Sequence, residues 1–539
     1  MHNTASKLTF ANMRGVLIVA LFVCWAMVFI YRSSVPLNDG RRVFCLFDDA
    51  MVSMRYADNL VHGNGVVWNA GERVEGYTNP LMVMIMAASL MLFSKPMAVL
   101  TIQVFGIITL LSTALLASRV YAQVFDCKER RMPPWFLLIS LLSMYTLAYW
   151  SLMGMETGLV AFLLTLGVYL AIKDERHGTT ESRMLRGRLR SVWLGVVCAA
   201  LYFSRPDAVL FAVPLLACHF AYPVRKPWSC IITPSVIIGL CMGLHLAFRL
   251  HYYGEWLPNT AVLKLGSFSL IYRLLNGIGF VLPFLQCAFP LMMLAAYSLL
   301  CRHQMPQILL GTLFGVSVVY QVYAGGDPWS YWRIMSPTIP MLIVLAIDGA
   351  ALLSEKLIVA EAPLGRNSQK VVLCSMVMLW ALFTLNDKFL DEQCLLRNPF
   401  DVDGNIENVN VAYALKKCTT ADATVGVFWA GSIPFYSERY AVDFLGKCDK
   451  QVARLKPDLT GAVAWAGMRS VPGHNKYNLN YSILEKRPTY VQNFNTRWGN
   501  LSEYGSNNYV RVECDGAKLW LLRDSPSVKW RECVLPTHQ

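Results

Sequence analysis

The sequence contains few charged residues for its length. Only 15% of its 539 residues are Asp, Glu, Lys or Arg, and 55% are hydrophobic, whereas soluble domains usually contain about 25% charged residues. This composition excludes a disordered chain, a small disulfide-stabilised protein and a simple soluble enzyme. The formal net charge of +13 is compatible with nucleic-acid binding only if the basic residues gather on one surface.

Several catalytic motifs are also missing. No glycine-rich loop ends in Lys-Ser or Lys-Thr, so no NTP-driven activity is indicated. The sequence has no CxxC pair and no His-Glu-x-x-His, so neither of these zinc-binding motifs supports a zinc site. It also lacks the G-x-S-x-G turn of serine hydrolases.

Apolar segments are the dominant feature of residues 1–386. A helix needs about 20 residues to cross a bilayer, and segments near this length recur along the chain. We predict eleven membrane spans, at 15–31, 97–121, 134–150, 157–172, 191–204, 207–222, 229–248, 277–300, 305–323, 337–354 and 371–386. The sequence therefore predicts an α-helical polytopic membrane protein over residues 1–386.

The apolar pattern ends near residue 387. A polar tail follows to residue 539, and it includes short alternating segments such as Tyr509–Glu513 and Lys518–Leu522. Alternation of this kind is typical of half-buried strands. We predict that residues 387–539 form a soluble α/β domain.

The basic residues of the short loops predict the orientation, because such loops remain in the cytoplasm. These residues are Lys7, Arg14, Lys128, Arg130, Arg131, Lys173, Arg176, Arg183, Arg186, Arg188, Arg190, Arg225, Lys226, Arg302, Lys356, Arg366 and Lys370. If the apolar segment Pro80–Phe93 crossed the membrane, the clusters at 128–131 and 173–190 would lie outside. If it lies flat as a juxtamembrane helix, every cluster lies inside. We therefore predict a cytoplasmic N-terminus and an extracytoplasmic C-terminus.

This topology places six segments on the outer face: 32–96, 150–157, 204–208, 249–276, 324–336 and 387–539. The first, a loop at 32–96, mixes acidic and basic residues and is rich in Gly, Asn and Tyr. Such a composition suits a folded, ligand-handling loop better than a passive tether.

Three acids are candidates for chemistry on this face. Asp48 and Asp49 precede a run with helical apolar spacing, and adjacent carboxylates can act as a general base, a metal ligand or both. A simple helix cap is the alternative. Glu156 lies at a break between two spans, where an acid is costly unless it has a partner or a function; it too could be a cap.

Basic residues on the same face could bind an anion. Arg205 precedes Asp207, with which it could form a local ion pair. Lys264 and Arg333 follow aromatic residues, which could be interfacial anchors, while the planar fork of an arginine matches phosphate oxygens. His474 lies in a Pro-Gly turn and could be an ordinary surface residue. Together with Asp327, these residues predict a site for an anionic lipid headgroup and for acid–base work on a polar acceptor.

A family resemblance rests on several of these segments. They are Asp48-Asp49-Ala50 with Arg55-Tyr56-Ala57, Gly65–Asn69, Gly71–Leu81, Glu156-Thr157-Gly158, Arg205–Ala208, Leu257–Thr260, Gly325-Gly326-Asp327 with Arg333, and Pro472-Gly473-His474. In this order they resemble GT-C glycosyltransferases, in particular the mycobacterial terminal arabinofuranosyltransferase and Gram-negative relatives such as pilin arabinosyltransferases. The resemblance spans most of the chain.

The resemblance implies transfer of a sugar from a polyprenyl-phosphate donor to an extracytoplasmic glycan or protein, in a bacterial inner membrane. It also implies a juxtamembrane helix after the first outer loop. The catalytic carboxylate is then one of the acidic pair, with Asp48 preferred over Asp49, and Glu156 is the second acid. The implied donor-site residues are Arg55, Glu75, Tyr77, Asn79, Arg205, Asp207, Asn259, Lys264, Asp327, Arg333 and His474.

Two departures from the family pattern leave the sugar open. Met82 stands where a tryptophan is common after Asn-Pro-Leu, and Ala261-Val262-Leu263 stands where aromatic residues often precede the lysine. Arabinofuranose is the sugar that the resemblance suggests. A divalent cation, Mg²⁺ or Mn²⁺, is the only cofactor that the acidic pair suggests.

Two other functions remain open at this point. A transporter or lipid flippase would need ionisable residues buried within spans and inverted repeats; the sequence has few such residues beyond His245 and no repeat. A non-catalytic membrane protein with a glycan-binding tail is the other alternative. Nucleic-acid binding is not expected, because much of the basic excess lies in the cytoplasmic loops.

The predicted outer domain contains five cysteines: Cys394, Cys418, Cys448, Cys514 and Cys533. Oxidising surroundings favour disulfides, so we expect one or two here. The sequence does not indicate the pairing.

Overall fold

The protein was analysed as a computed structural model that describes residues 2–125, 132–173, 180–223, 227–329, 331–358, 365–460 and 470–534. Some of the basic residues that predict the orientation lie outside these ranges, namely Lys128, Arg130, Arg131, Arg176, Arg225 and Lys226. The predicted orientation stays a prediction.

Residues 2–386 form mainly α-helices, with one short hairpin in the first loop. The helices are α1 (His2–Ser33), α2 (Asp48–Val61), α3 (Pro80–Leu92), α4 (Lys95–Val124), α5 (Pro134–Leu142), α6 (Tyr145–Leu152), α7 (Thr157–Ile172), α8 (Thr180–Ser204), α9 (Ala212–Ala221), α10 (Ser229–Tyr253), α11 (Asn259–Leu265), α12 (Leu270–Arg302), α13 (Met305–Ala324), α14 (Ile339–Lys356) and α15 (Arg366–Asn386). The hairpin pairs β1 (Val35–Pro36) with β2 (Arg42–Val43). Short 3₁₀ helices, Pro206–Phe211 and Ser336–Thr338, precede α9 and α14.

Within the described residues, seven helices are long and apolar enough to cross a membrane: α1, α4, α10, α12, α13, α14 and α15. The bent pair α5 and α6, which turns by 64°, is an eighth candidate. The remaining predicted spans are helical but do not meet this test, because α7 and Pro206–Ala221 are shorter and α8 begins with a basic stretch. The protein is thus a multi-pass membrane protein, and each of the eleven predicted segments is mainly helical where described, with a break at residues 143–144 in the segment 134–150.

The segment predicted to lie flat on the membrane is the helix α3. It contains 13 residues and has a proline in its first turn. A helix of this length extends about 20 Å, which is short of the roughly 30 Å hydrocarbon core. It packs against α2 and α4, so it supports the helix that begins with the acidic pair.

The C-terminal region combines short helices with a mixed sheet. The helices are α16 (Leu390–Gln393), α17 (Val402–Cys418), α18 (Ser432–Ser437), α19 (Lys450–Ala453) and α20 (Ser502–Asn508), with 3₁₀ helices at Asp387–Phe389 and Trp530–Glu532 and a π-helical turn at Asn480–Glu485. The strands are β3 (Thr424–Val427), β4 (Tyr440–Asp443), β5 (Tyr490–Val491), β6 (Asn495–Thr496), β7 (Gly499–Asn500), β8 (Tyr509–Cys514) and β9 (Ala517–Leu522).

The main sheet has the strand order β4-β3-β5-β9-β8. The strands β4, β3 and β5 are parallel, whereas β9 is antiparallel to β5 and β8. Burial alternates along β8 and β9, as the alternating sequence predicts. The predicted α/β character of this region is confirmed.

Close helix packing depends on small residues at two crossings. A Cβ added at Gly349 of α14 would lie 1.9 Å from the carbonyl oxygen of Leu294 on α12. A Cβ at Gly277 of α12 would lie 2.3 Å from the carbonyl oxygen of Val322 on α13. Only glycine permits backbones to approach this closely.

The C-terminal region packs directly on the first loop. The indole Nε1 of Trp68 donates to the carbonyl oxygen of Ala430 at 3.1 Å, and the Asn405 amide donates to that of Leu46 at 3.0 Å. Buried side chains of both regions belong to one continuous core. This contact brings residues of the tail to the N-terminus of α2.

Candidate active site

A cavity of about 470 Å³ lies where the first loop, the membrane helices and the C-terminal region meet. Ten of the fourteen predicted site residues line it: Asp48, Asp49, Tyr77, Asn79, Glu156, Arg205, Asp207, Lys264, Arg333 and His474. The structure therefore brings together residues that are more than 400 positions apart in the sequence.

Asp48 is the first residue of α2, and it does not cap that helix. Its carboxylate instead accepts hydrogen bonds from the backbone N–H groups of Gly431, at 3.1 and 3.2 Å, and of Ser432, at 3.1 Å. Burial raises the pKa of Asp48 to about 7, although the backbone hydrogen bonds partly oppose this. A carboxyl group with this pKa can exchange a proton near neutral pH.

The neighbouring Asp49 has the opposite surroundings. Its Oδ1 lies 2.7 Å from the Lys447 Nζ, and its Oδ2 lies 2.8 Å from an Nη atom of Arg333. Burial acts to raise the pKa of this carboxyl group, but the charges of Lys447, Arg333 and Lys264 outweigh burial and hold it well below its usual range. Asp49 is therefore ionised and fixes the cations around it.

Glu156 precedes α7 and is buried, and its side chain makes no cap hydrogen bond. One oxygen accepts from Arg205 at 2.8 Å and the other from the Asn79 amide at 3.0 Å. Arg205 also forms a bidentate pair with Asp207, at 3.0 and 2.9 Å. The predicted local ion pair is thus present, and it extends to Glu156.

A chain of alternating charges links Lys264 to the acidic pair. Lys264 Nζ lies 3.5 Å from Asp327, whose carboxylate also binds Arg333 at 2.9 Å. Lys264 shares Asp327 with Arg333, and its distance to that carboxylate is long for a charge-assisted hydrogen bond. The positive charge of Lys264 is therefore only weakly balanced by Asp327. Its side chain is 35% exposed, so the ammonium group can reach a ligand in the cavity.

His474 approaches the cavity from the C-terminal region. Its ring packs edge-on against Trp329 with 5.6 Å between centroids. Burial, assisted by the charge of Arg497, lowers the pKa of His474 to about 4. This imidazole is therefore neutral at neutral pH and can offer a hydrogen bond but no charge.

The other four predicted residues do not line the cavity but contact the residues and backbone around it. Arg55 donates to the backbone carbonyls of Trp68 and Arg439. Glu75 forms a bidentate pair with Arg249, at 2.6 and 3.1 Å, and Arg249 itself lines the cavity. Asn259 binds the backbone of the 446–449 turn, and Asp327 holds the cations described above.

Several lining residues had no signal in the sequence. They are Arg249, Tyr320, Asp401, Trp429, Asp443, Lys447, Arg497 and Trp498. None of them stands in a motif, and the six in the C-terminal region reach the cavity only because that region docks on the first loop. Arg497 is exposed and lies over the ring of Trp498 at 4.5 Å.

Asp401 is the most unusual of these residues. It has a left-handed backbone with φ of 67°, and its buried Oδ2 has no hydrogen-bond partner. Burial and the charges of Asp48 and Asp49 raise its pKa to about 8. Asp401 and Trp429 also line a second cavity of about 810 Å³, whose wall includes Phe400 and Trp332.

The cavity residues do not fit a divalent cation well. Both oxygens of Asp49 are bonded to side-chain cations, and both oxygens of Asp48 face backbone N–H groups. Within the described ranges, no three carboxylate or imidazole groups of the cavity bring their ligand atoms within 4.8 Å of one another. The arrangement instead suits an anion, because Lys264, Arg333, Arg205 and Lys447 line the same cavity as a carboxyl group that can exchange a proton near pH 7.

The chain is similar to a family of unknown function and to curated glycosyltransferases. A family model described as a domain of unknown function (DUF8728) matches residues 401–526. The terminal beta-(1->2)-arabinofuranosyltransferases of Corynebacterium glutamicum and Mycobacterium tuberculosis are 25% and 26% identical over 237 and 224 residues. These regions cover 41% and 40% of this chain but 33% and 34% of the relatives, so the match spans about a third of each relative.

The fold is similar to that of ArnT from Cupriavidus metallidurans. The apo structure of ArnT gives a TM-score of 0.56 at 13% identity, covering 93% of this chain and 97% of ArnT. The structure bound to undecaprenyl phosphate gives 0.54 at 12% identity, covering 95% and 98%. The predicted fold class, an α-helical membrane protein with a C-terminal α/β region, is confirmed, and so is the resemblance to terminal arabinofuranosyltransferases.

Proposed function

We propose that the protein is a membrane glycosyltransferase that transfers a sugar from a polyprenyl-phosphate donor to a polar acceptor. The observation that carries this proposal is the cavity itself, which contains the Asp48 carboxyl group with a pKa near 7 and is lined by several cationic side chains. A donor whose leaving group is a lipid phosphate needs such cations, and an acceptor hydroxyl needs such a base.

The donor phosphate would bind among Lys264, Arg333 and Arg205. Arg333 and Arg205 are held by buried acids, so their positions are fixed before the donor arrives. Lys264 is less neutralised and would supply the most direct charge to the phosphate oxygens. Preorganised cations of this kind stabilise charge that develops on a leaving group.

The transfer step would use Asp48 as the general base. Its carboxylate takes the proton from the acceptor hydroxyl while that oxygen forms a bond to the anomeric carbon of the sugar. The bond from this carbon to the phosphate oxygen breaks, and its electron pair leaves with the phosphate. Asp49 remains ionised throughout and keeps Arg333 and Lys447 in place.

The acceptor would reach Asp48 through the second cavity, which shares Asp401 and Trp429 with the first. Aromatic side chains such as the half-buried Phe400 and Trp429 offer flat apolar surfaces, and sites for polar ligands commonly combine such surfaces with a few placed polar groups. The acceptor that we propose for this second cavity is an extracytoplasmic glycan or protein.

The names of the relatives support the identity of the donor. Two of the curated relatives are terminal arabinofuranosyltransferases, whereas another is a GPI alpha-1,2-mannosyltransferase at 23% identity, and an ArnT structure contains undecaprenyl phosphate. We therefore favour arabinofuranose on a polyprenyl phosphate as the donor. The proposed location is the bacterial inner membrane, with the cavity on the extracytoplasmic side.

A transfer assay with the purified full-length chain tests this function. The protein is supplied with polyprenyl phosphate carrying radiolabelled arabinofuranose, with a hexose donor of the same lipid as comparison, and with an oligosaccharide acceptor. We expect release of polyprenyl phosphate together with label in the acceptor. Binding of both lipids without any turnover would contradict the proposal and would favour a transporter or a glycan-binding protein.

A further inference from the structure

Three cysteine thiols meet in the C-terminal region, at a distance from the cavity. Cys418 ends α17, Cys514 ends β8, and Cys533 follows the 3₁₀ helix Trp530–Glu532. Their Sγ atoms all lie within 4.8 Å of one another. Cys418 and Cys514 are buried, Cys533 is half-buried, and none of them lines the cavity.

The expected disulfides are not formed at this cluster. All cysteines in the described part of the chain are free thiols, including the five of the C-terminal region. A disulfide would join two sulfurs and leave the third apart, whereas here each sulfur is close to both others. Mutual proximity of three thiols is the geometry of ligands around one ion.

The spacing of the sulfurs is close to that of a thiolate metal site. Zinc–sulfur bonds of about 2.3 Å in a tetrahedron place the sulfurs about 3.8 Å apart. An ion at the centre of a triangle with 4.8 Å edges would lie about 2.8 Å from each sulfur, so shifts of roughly half an ångström would complete the bonds. Rotation of the half-buried Cys533 side chain can supply such a shift.

We propose that Cys418, Cys514 and Cys533 bind one soft, thiophilic metal ion such as Zn²⁺. Thiolate ligands select Zn²⁺ and Cu⁺ over harder cations. In the part of the chain that the structure describes, no histidine or carboxylate joins the cluster, so the fourth position of a tetrahedral ion is left to water.

The ion would fasten the end of the chain to the sheet. The segment 528–534 reaches the sheet through isolated bridges, from Val528 to Thr419 and from Val534 to Glu513, and the Lys529 N–H donates to the carbonyl oxygen of Cys418 at 2.8 Å. A metal ion bound by Cys533 and by the other two thiols would connect this segment to α17 and β8. The role is thus structural and independent of the proposed transfer.

Metal titration of the full-length protein tests the site. The protein is purified in detergent with reductant and without metal, then titrated with Co²⁺ and, in competition, with Zn²⁺ or Cu⁺. We expect about one equivalent of Co²⁺ to bind with a thiolate charge-transfer absorption, which Zn²⁺ then displaces. Absence of this absorption in the reduced wild-type protein would overturn the proposal, whatever the variants do.

Matched variants locate the site. Cys533→Ala removes a half-buried ligand and should weaken binding by at least about tenfold, whereas Cys394→Ala, at an exposed thiol outside the cluster, should bind as the wild type does. Equal binding by both variants would overturn the assignment. So would a disulfide between two of the three cysteines, found by mass spectrometry of protein purified without oxidant.

Discussion

At the scale of single residues, the acidic pair at the start of α2 owes its two roles to opposite surroundings. Asp48 accepts hydrogen bonds from backbone N–H groups, the charge of Lys447 acts on it only as a smaller influence, and burial dominates its pKa. Asp49 lies between two cations that keep it ionised. Groups whose environments push their pKa values apart are suited to separate roles, here a base and an anchor for cations.

The pH dependence of transfer follows from the pKa of Asp48. Only the ionised form can accept the hydroxyl proton, so kcat/KM should fall about tenfold for each pH unit below about 7 and level off above it. A pH–rate profile at subsaturating donor measures this. A profile that stays flat down to pH 5 would exclude Asp48 as the base.

Lys264 should matter for donor binding. Lys264→Met removes a weakly neutralised charge, and loss of a charge-assisted contact to phosphate costs about 1.5–3 kcal/mol, or roughly 10- to 100-fold in the KM for the donor. Steady-state kinetics with varied donor check this. Lys518→Met, at an exposed position on β9, should leave the KM unchanged; an equal effect of both substitutions would argue against a specific contact.

The predictability of individual site residues depends on their local context. Glu156 and Arg205 could be predicted as site residues because a charged residue at a break between spans is costly unless it has a partner or a function. Lys447 and Asp401 could not, since each stands in an ordinary stretch of the tail and acquires its role only when the tail packs on the first loop. His474, which the resemblance implies as a donor-site residue, does line the cavity, and burial leaves its imidazole neutral at neutral pH.

At the scale of elements, the helix pair α12 and α14 depends on Gly349. Gly349→Ala would place a methyl group against the backbone of Leu294 and should lower the stability by about 1–3 kcal/mol. Thermal unfolding in detergent measures this. Gly315→Ala on α13 is the matched control, because a Cβ there meets nothing within 4 Å; equal midpoints for both variants would contradict the close packing.

The elements differ in how well the sequence reveals them. Long spans such as α4 and α12 are evident because a bilayer demands a length and composition that few other structures need. The strands β8 and β9 are evident from alternation. The strand β5 has only two residues, too few to alternate, and its position in the centre of the sheet is set by tertiary pairing alone.

At the scale of the whole molecule, the cavity is formed by two regions. The segments between the membrane helices supply Arg205 and Arg333, while the C-terminal region supplies Lys447 and the backbone N–H groups that hold Asp48. The low charge fraction reflects the helices, and the informative charges are the few around the cavity. Neither region alone would complete the proposed site.

The contribution of the C-terminal region to the cavity can be tested at the contact between Lys447 and Asp49. Lys447→Met keeps the aliphatic stem but removes the cation 2.7 Å from Asp49, so we expect the transfer rate to fall about tenfold or more without loss of the folded protein. Lys456→Met, at an exposed position of the same region, serves as the control. Full activity of the Lys447 variant would mean that the C-terminal region does not complete the site.

Asp48 is the proposed base of the glycosyl transfer. Asp48→Asn is the most direct test, because the amide oxygen can still accept hydrogen bonds from the N–H groups of Gly431 and Ser432 but cannot take a proton. With Asp391→Asn as an exposed control, we expect transfer to fall by about 10²- to 10⁴-fold in a folded protein that still binds the donor. Transfer at the wild-type rate by the Asp48 variant would show that Asp48 is not the base.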